Sequence, residues 1–222
     1  MHARADQRVT AGLAISGGVI ALAGNALAPR FNGDDVVVYH RVADSTRLAV
    51  AEAIVFVAVV LVTAAVVGIS RSDHLVTSEL AHHGRLAATI GGAVAILQVA
   101  VALDAYRQQA RAFDGANHVN AVSAFWATNA LDHISAAMFA TWAIMLLGVA
   151  PLLLGATQLR SGAGRRLGAA GVVGGVVCIG VGVGSLLASD TSSYDVPFVI
   201  GSVIVTIWLI VTGVLLWRRS AT

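Results

Sequence analysis

Six stretches of roughly twenty apolar residues, each bounded by charge or turn residues, constrain this chain more than any other feature: about 9–28, 47–69, 86–106, 124–157, 167–188 and 197–217. A hydrocarbon core ~30 Å thick is crossed by ~20 apolar residues in a helix. Only helices and closed barrels satisfy every backbone polar group inside lipid. The runs are too long for the strands of a barrel, so the expected fold class is all-α, a polytopic membrane bundle of six transmembrane helices forming a single domain over 1–222. The fourth run exceeds a single crossing at ~1.5 Å per residue, so its first two turns are expected to project into the interface.

Composition agrees: 57% of residues are hydrophobic and 12% charged, and the mean hydropathy is +0.81, outside the range of soluble domains. All 14 basic residues are Arg. They are scattered through short loops with no basic tract, which leaves nucleic acid binding without a footprint. Cys178, the one cysteine, lies in a Gly/Val run and reads as a small buried hydrophobe. The run from Val9 to Ala28 follows Arg4 and Arg8. It is longer than a signal-peptide core of ~7–15 residues, so we read a retained first span, with a cleaved signal as the alternative.

Arginines near short loops tend to stay in the cytoplasm. With both termini inside, Arg4, Arg8, Arg71, Arg85, Arg160, Arg165, Arg166, Arg218 and Arg219 are cytoplasmic, and Arg30, Arg41, Arg47, Arg107 and Arg111 are outside. The bias is sharpest between "QLRSGAGRRLG" and the acidic "SDTSSYDVP". The expected orientation is therefore N-in/C-in, in a bacterial cytoplasmic membrane. The first outer loop contains "DDVVVYHRV", rich in β-branched residues, which is expected to pair or to lie on the surface.

In span five, Gly171 and Gly175, then Gly180 and Gly184, are separated by three residues. Such spacing lets backbones approach closely. It fits packing against neighbours within the bundle better than a dimer seam.

Polar residues gather near the outer ends of three spans. Glu52 opens span two, Asp104 closes span three, and Asn129, Asp132 and His133 open span four at i, i+3 and i+4, on one helical face. The same face continues through Ala136, Ala137 and Ala140, which suggests that it points inward. An Asp at the centre of a lipid-exposed helix costs ~2.5–3.5 kcal/mol on insertion scales, so these groups are expected to turn into the bundle as a polar pocket. Asn25 and Gln98 are further candidates for polar contacts. Local readings compete: Asp104 is three residues before Arg107 and four before Gln108, Glu52 can reach water, and Asp132 with His133 can act as structural hydrogen-bond glue.

As chemistry, His133, Asp132 and Glu52 could hold Zn²⁺ or a similar cation with one position open for water. A proton relay through an Asp/His pair is the alternative. There is no HExxH, P-loop, dinucleotide fingerprint or nucleophile elbow. His2, His40, His74, His82, His83 and His118 fall in the N-terminal tail, loops or helix ends, so no paired haem ligands are expected.

A Gly-rich first span, "STRLAVAEAIVFVAVVLVTAAVVGIS", "LDHISAAMFATWAIMLLGVAPLLLGATQLRSGAGRRLGAAGVVGGVV" and a short Arg-ended last span together resemble a family of six-helix bacterial membrane proteins known only as a domain of unknown function. The resemblance implies the six-span fold and brings no reaction, cofactor or partner. The expected function is a non-enzymatic carrier or accessory subunit, with the lipid bilayer and a larger membrane complex or homo-oligomer as partners and no cofactor. The alternative is a membrane-embedded Zn-dependent hydrolase acting on a lipid-like substrate.

Overall fold

The computed structural model describes residues 2–29, 34–72, 78–117, 120–161, 164–187 and 195–221. Arg30, His74, His118, the side chains of His2 and Arg4, and most of the 189–197 loop lie outside the described residues. The helices are α1 (His2–Leu27), α2 (Asp35–Asp44), α3 (Thr46–Ser70), α4 (Glu79–Ala100), α5 (Arg107–Asp114), α6 (Ala121–Trp142), α7 (Ala150–Arg160), α8 (Arg165–Leu187) and α9 (Asp195–Ala221). Two π-helical stretches, Val101–Tyr106 and Ala143–Val149, join α4 to α5 and α6 to α7. Six continuous helical segments are long and apolar enough to cross a membrane.

The spans form a ring. α1 packs on α3 and α9, α3 on α4, α4 on α6 and α7, these on α8, and α8 on α9. Arg8 Nη2 donates to the Ser220 carbonyl at 3.2 Å, which places both termini at one end, here called the terminal end. The other is the α2 end. Interfacial tryptophans mark both: Trp126 is exposed at the start of α6 and Trp217 at the end of α9.

The third and fourth spans run to 36 and 40 residues. At ~1.5 Å per residue each overshoots a ~30 Å hydrocarbon core. The segment 107–123, which reads from sequence as a long connection, is therefore mostly helix. "DDVVVYHRV" is also a helix: Tyr39, Val42 and Ala43 fall at i, i+3 and i+4 and are buried. Asp34 caps α2, accepting from the Val37 N–H at 3.0 Å. At its other end Arg111 Nε donates to the Ala43 carbonyl at 2.9 Å and Arg107 Nη2 to the Ser45 carbonyl at 3.3 Å. Cations at a helix C-terminus oppose its dipole. α2 thus closes over the α5–α6 hairpin around Tyr39, Tyr106 and Ala110. The π stretch in the fourth span precedes Pro151, whose missing N–H and ring disturb the ladder one turn back.

α8 packs against the fourth span through glycines seven residues apart. A β-carbon on Gly168 would stand 2.7 Å from the Gly155 carbonyl oxygen, one on Gly175 2.6 Å from that of Gly148, and one on Gly182 2.9 Å from that of Ala140. These antiparallel crossings recur every two turns. Gly171 also belongs to the bundle interior, against Trp208 and the Pro151 carbonyl, whereas a β-carbon on Gly180 meets nothing within 4 Å. Gly184 is half-buried. Of the four glycines, Gly171 and Gly175 pack inside the chain and Gly180 does not, and the close crossings with the fourth span follow a spacing of seven.

Candidate functional site

The polar residues at the α2 end separate into two groups. The first lies beneath α2. Asn129 Nδ2 donates to Tyr39 Oη at 3.2 Å, and the Asp132 carboxyl sits beside the Tyr106 hydroxyl. Tyr39 is 1% exposed and packs edge-on against Tyr106 and Phe113, with ring centroids 6.2 and 5.9 Å apart. Burial pushes its phenol above the usual range; the Asn129 hydrogen bond opposes this, while the Asp132 and Asp35 charges reinforce it. Tyr39 is thus a neutral phenol. His40 on the outer face of α2 contacts Asp114 at the end of α5. This group fastens α2 to the hairpin, which answers why the front of span four carries Asn129 and Asp132: that stretch faces a protein cap.

His133 points the other way. Its side chain is exposed, as are Ala136 and Ala137, and only Ala140 of that stripe is buried. The inward face of α6 instead carries Thr128, Asn129, Asp132 and Ser135, the last bonded by Gln98 Nε2 at 3.0 Å. Asp104 is exposed and accepts from Gln108 one turn along, the local pairing that its spacing allows. Among the described residues no three of His, Cys, Asp or Glu stand close enough to hold a metal ion.

The second group involves Glu52. It is half-buried, and α3, which carries it, does not pack against α6, which carries Asp132. On α3 it shares a face with Val55, Val59 and Val62. Those valines line a cavity of about 60 Å³ between α1, α3, α9 and the fourth span. Leu146, Phe198 and Leu209 complete its apolar walls, and Asn25, Ser202 and Thr206 contribute polar atoms. Both hydroxyls are already used: Ser202 donates to the Val199 carbonyl and Thr206 to that of Ser202. Trp142 also lines the cavity. Its Nε1 is buried without a hydrogen-bond partner among the described residues. α1 holds Asn25 at this depth by close contact, since a β-carbon on Gly24 would lie 2.9 Å from Val55. Apolar spacing announced these walls only as core, and the enclosed space had no signal in the sequence.

Neither curated proteins nor solved structures give a match. The model of a family described as a domain of unknown function, DUF4386, matches residues 11–213 of the 222. That match covers spans two to five whole and the first and last spans apart from their outer turns, so the chain belongs to the DUF4386 family.

Proposed function

We propose that this multi-pass membrane protein is a non-enzymatic carrier or accessory subunit that holds an amphiphilic molecule in the cavity between α1, α3, α9 and the fourth span. The observation that carries this reading is the lining: apolar walls, hydroxyls turned back on their own helix, and, among the described residues, further polar groups only from Asn25 and the Trp142 indole, which has no partner among them, with Glu52 one turn nearer the α2 end. Size decides the ligand class. One water-sized sphere needs about 10–15 Å³ of such space and a drug-sized ligand ~300 Å³ or more, so about 60 Å³ suits a slender alkyl or isoprenoid segment rather than a ring system. A carbonyl or ether oxygen on that segment would accept from Trp142.

The test is lipid extraction and mass spectrometry of the purified chain, alone and with Val59→Trp, which fills the space. The expected result is a stoichiometric apolar molecule in the wild type that falls at least tenfold in the variant while the melting temperature holds. Equal retention in both would overturn the reading.

We also propose the N-in/C-in orientation in a bacterial cytoplasmic membrane, supported by the nine-to-five division of arginines between the two sides. Phosphatase fusions after Gly115 and Ser192 should be active and one after Ala163 inactive. The reverse pattern would place α2 and both polar groups on the cytoplasmic face.

A further inference from the structure

A second cavity, at the terminal end of the bundle, has a different chemistry. It measures about 360 Å³ and lies between the first turns of α1, the end of α3 and Leu216 of α9. Asp6 and Thr10 come from α1, and Arg71 and Ser72 close α3. At its floor α1 and α3 pack closely, where a β-carbon on Gly68 would come within 2.4 Å of Thr10 Oγ1. Asp6 and Arg71 are exposed, and among the described residues neither side chain has a hydrogen-bond or ion-pair partner. Among the described residues the cavity therefore presents one carboxylate and one guanidinium, neither paired with another described group, beside the apolar side chains of Val9, 63% exposed, and Leu216. Trp217 and Arg218 on the last turn of α9 put this end at the membrane interface.

We propose that this cavity binds the headgroup of a phosphoethanolamine lipid from the leaflet at the terminal end. The volume lies within the ~300–1,000 Å³ range of small-molecule sites. Arg71 matches the phosphate, since a guanidinium meets phosphate oxygens through two parallel N–H bonds. Asp6 matches the primary ammonium, which carries three N–H donors. A choline group carries none, and a glycerol headgroup has no positive charge. Val9 and Leu216 supply the apolar edge along which the acyl chains leave the headgroup. This site is independent of the cavity between α1, α3, α9 and the fourth span.

The experiment is a native mass-spectrometric titration of the full chain with phosphatidylethanolamine, phosphatidylcholine and phosphatidylglycerol of the same acyl composition. The ethanolamine lipid is expected to bind about tenfold more tightly than the other two, the scale of one charge-assisted hydrogen bond. Asp6→Asn is expected to erase that preference, and Arg71→Gln to weaken all three lipids. Equal affinity for the three headgroups on the unaltered chain overturns the proposal, and this comparison decides the matter even if a variant folds poorly. Wild-type titrations from both variants overturn it as well. Free phosphoethanolamine is expected to compete only weakly; binding as tight as the lipid's would remove the lipid from the assignment.

Discussion

Adding one methyl group at Gly175 is expected to destabilise the bundle, and the same change at Gly180, five residues along the same helix, to leave it as stable or more so. At Gly175 the new carbon would lie 2.6 Å from the Gly148 carbonyl oxygen and 2.9 Å from the Leu152 backbone nitrogen. Both are backbone atoms of the fourth span, so relief requires the two helices to move apart. That separation would loosen the Gly168 and Gly182 crossings in the same register. Overpacking of this kind costs typically ~1–3 kcal/mol and occasionally more, which lowers the melting temperature of a chain this size on the order of 5–10 °C. Gly180 faces open space, and replacing a helical glycine by alanine gains roughly 0.5–1 kcal/mol. Thermal unfolding of Gly175→Ala and Gly180→Ala in detergent should therefore shift in opposite directions. A common sign would mean that α8 meets the fourth span through another face.

Trp208→Phe is expected to be the second large loss. Trp208 is fully buried, and its Nε1 donates to Gln158 Oε1 at 3.0 Å, tying α9 to α7. Phenylalanine leaves a smaller ring and a buried amide oxygen with no donor, an orphan costing about 1–3 kcal/mol. Gln158→Met strands the indole instead. Removing both partners spares the orphan penalty, so the double variant is expected to be more stable than the sum of the single losses. The expected coupling is about 1 kcal/mol, the scale of interhelical hydrogen bonds within membranes. Additive losses in the cycle would show that the two groups contribute by volume alone.

The six spans were legible because lipid imposes a length and a composition that a chain displays directly. The local partner of Asp104 was legible only in part: its spacing offered a helix-end salt bridge to Arg107 as well as Gln108, and Gln108 takes the carboxylate while Arg107 reaches the Ser45 carbonyl. The surface position of "DDVVVYHRV" was legible, with Val36, Val37 and His40 exposed, but its helical form and the outward turn of His133 were not. "DDVVVYHRV" has too few apolar positions to announce a period, and becomes a helix because Asp34 caps one end, Arg107 and Arg111 cap the other, and the α5–α6 hairpin receives Tyr39. His133 shares a broad stripe with Asn129 and Asp132 by count of residues. Whether a helix buries the left or right edge of such a stripe depends on where its neighbours stand, and α6 is turned so that His133 faces out.

What the order of residues determined by itself is the solvent: runs of about twenty apolar residues with sparse arginines at their ends commit the chain to lipid and to helices, because only helices and closed barrels satisfy the backbone there and the runs are too long for barrel strands. The tertiary structure alone decided which polar groups meet. Helix rotation, the π-helical stretches and the docking of α2 brought Asn129 to Tyr39 and Asp132 to Tyr106, and left Glu52 apart from them on the face of α3 that lines the cavity. Those outcomes rest on contacts between residues up to 90 positions apart, and spacing along one helix carries no record of what a distant helix presents to it.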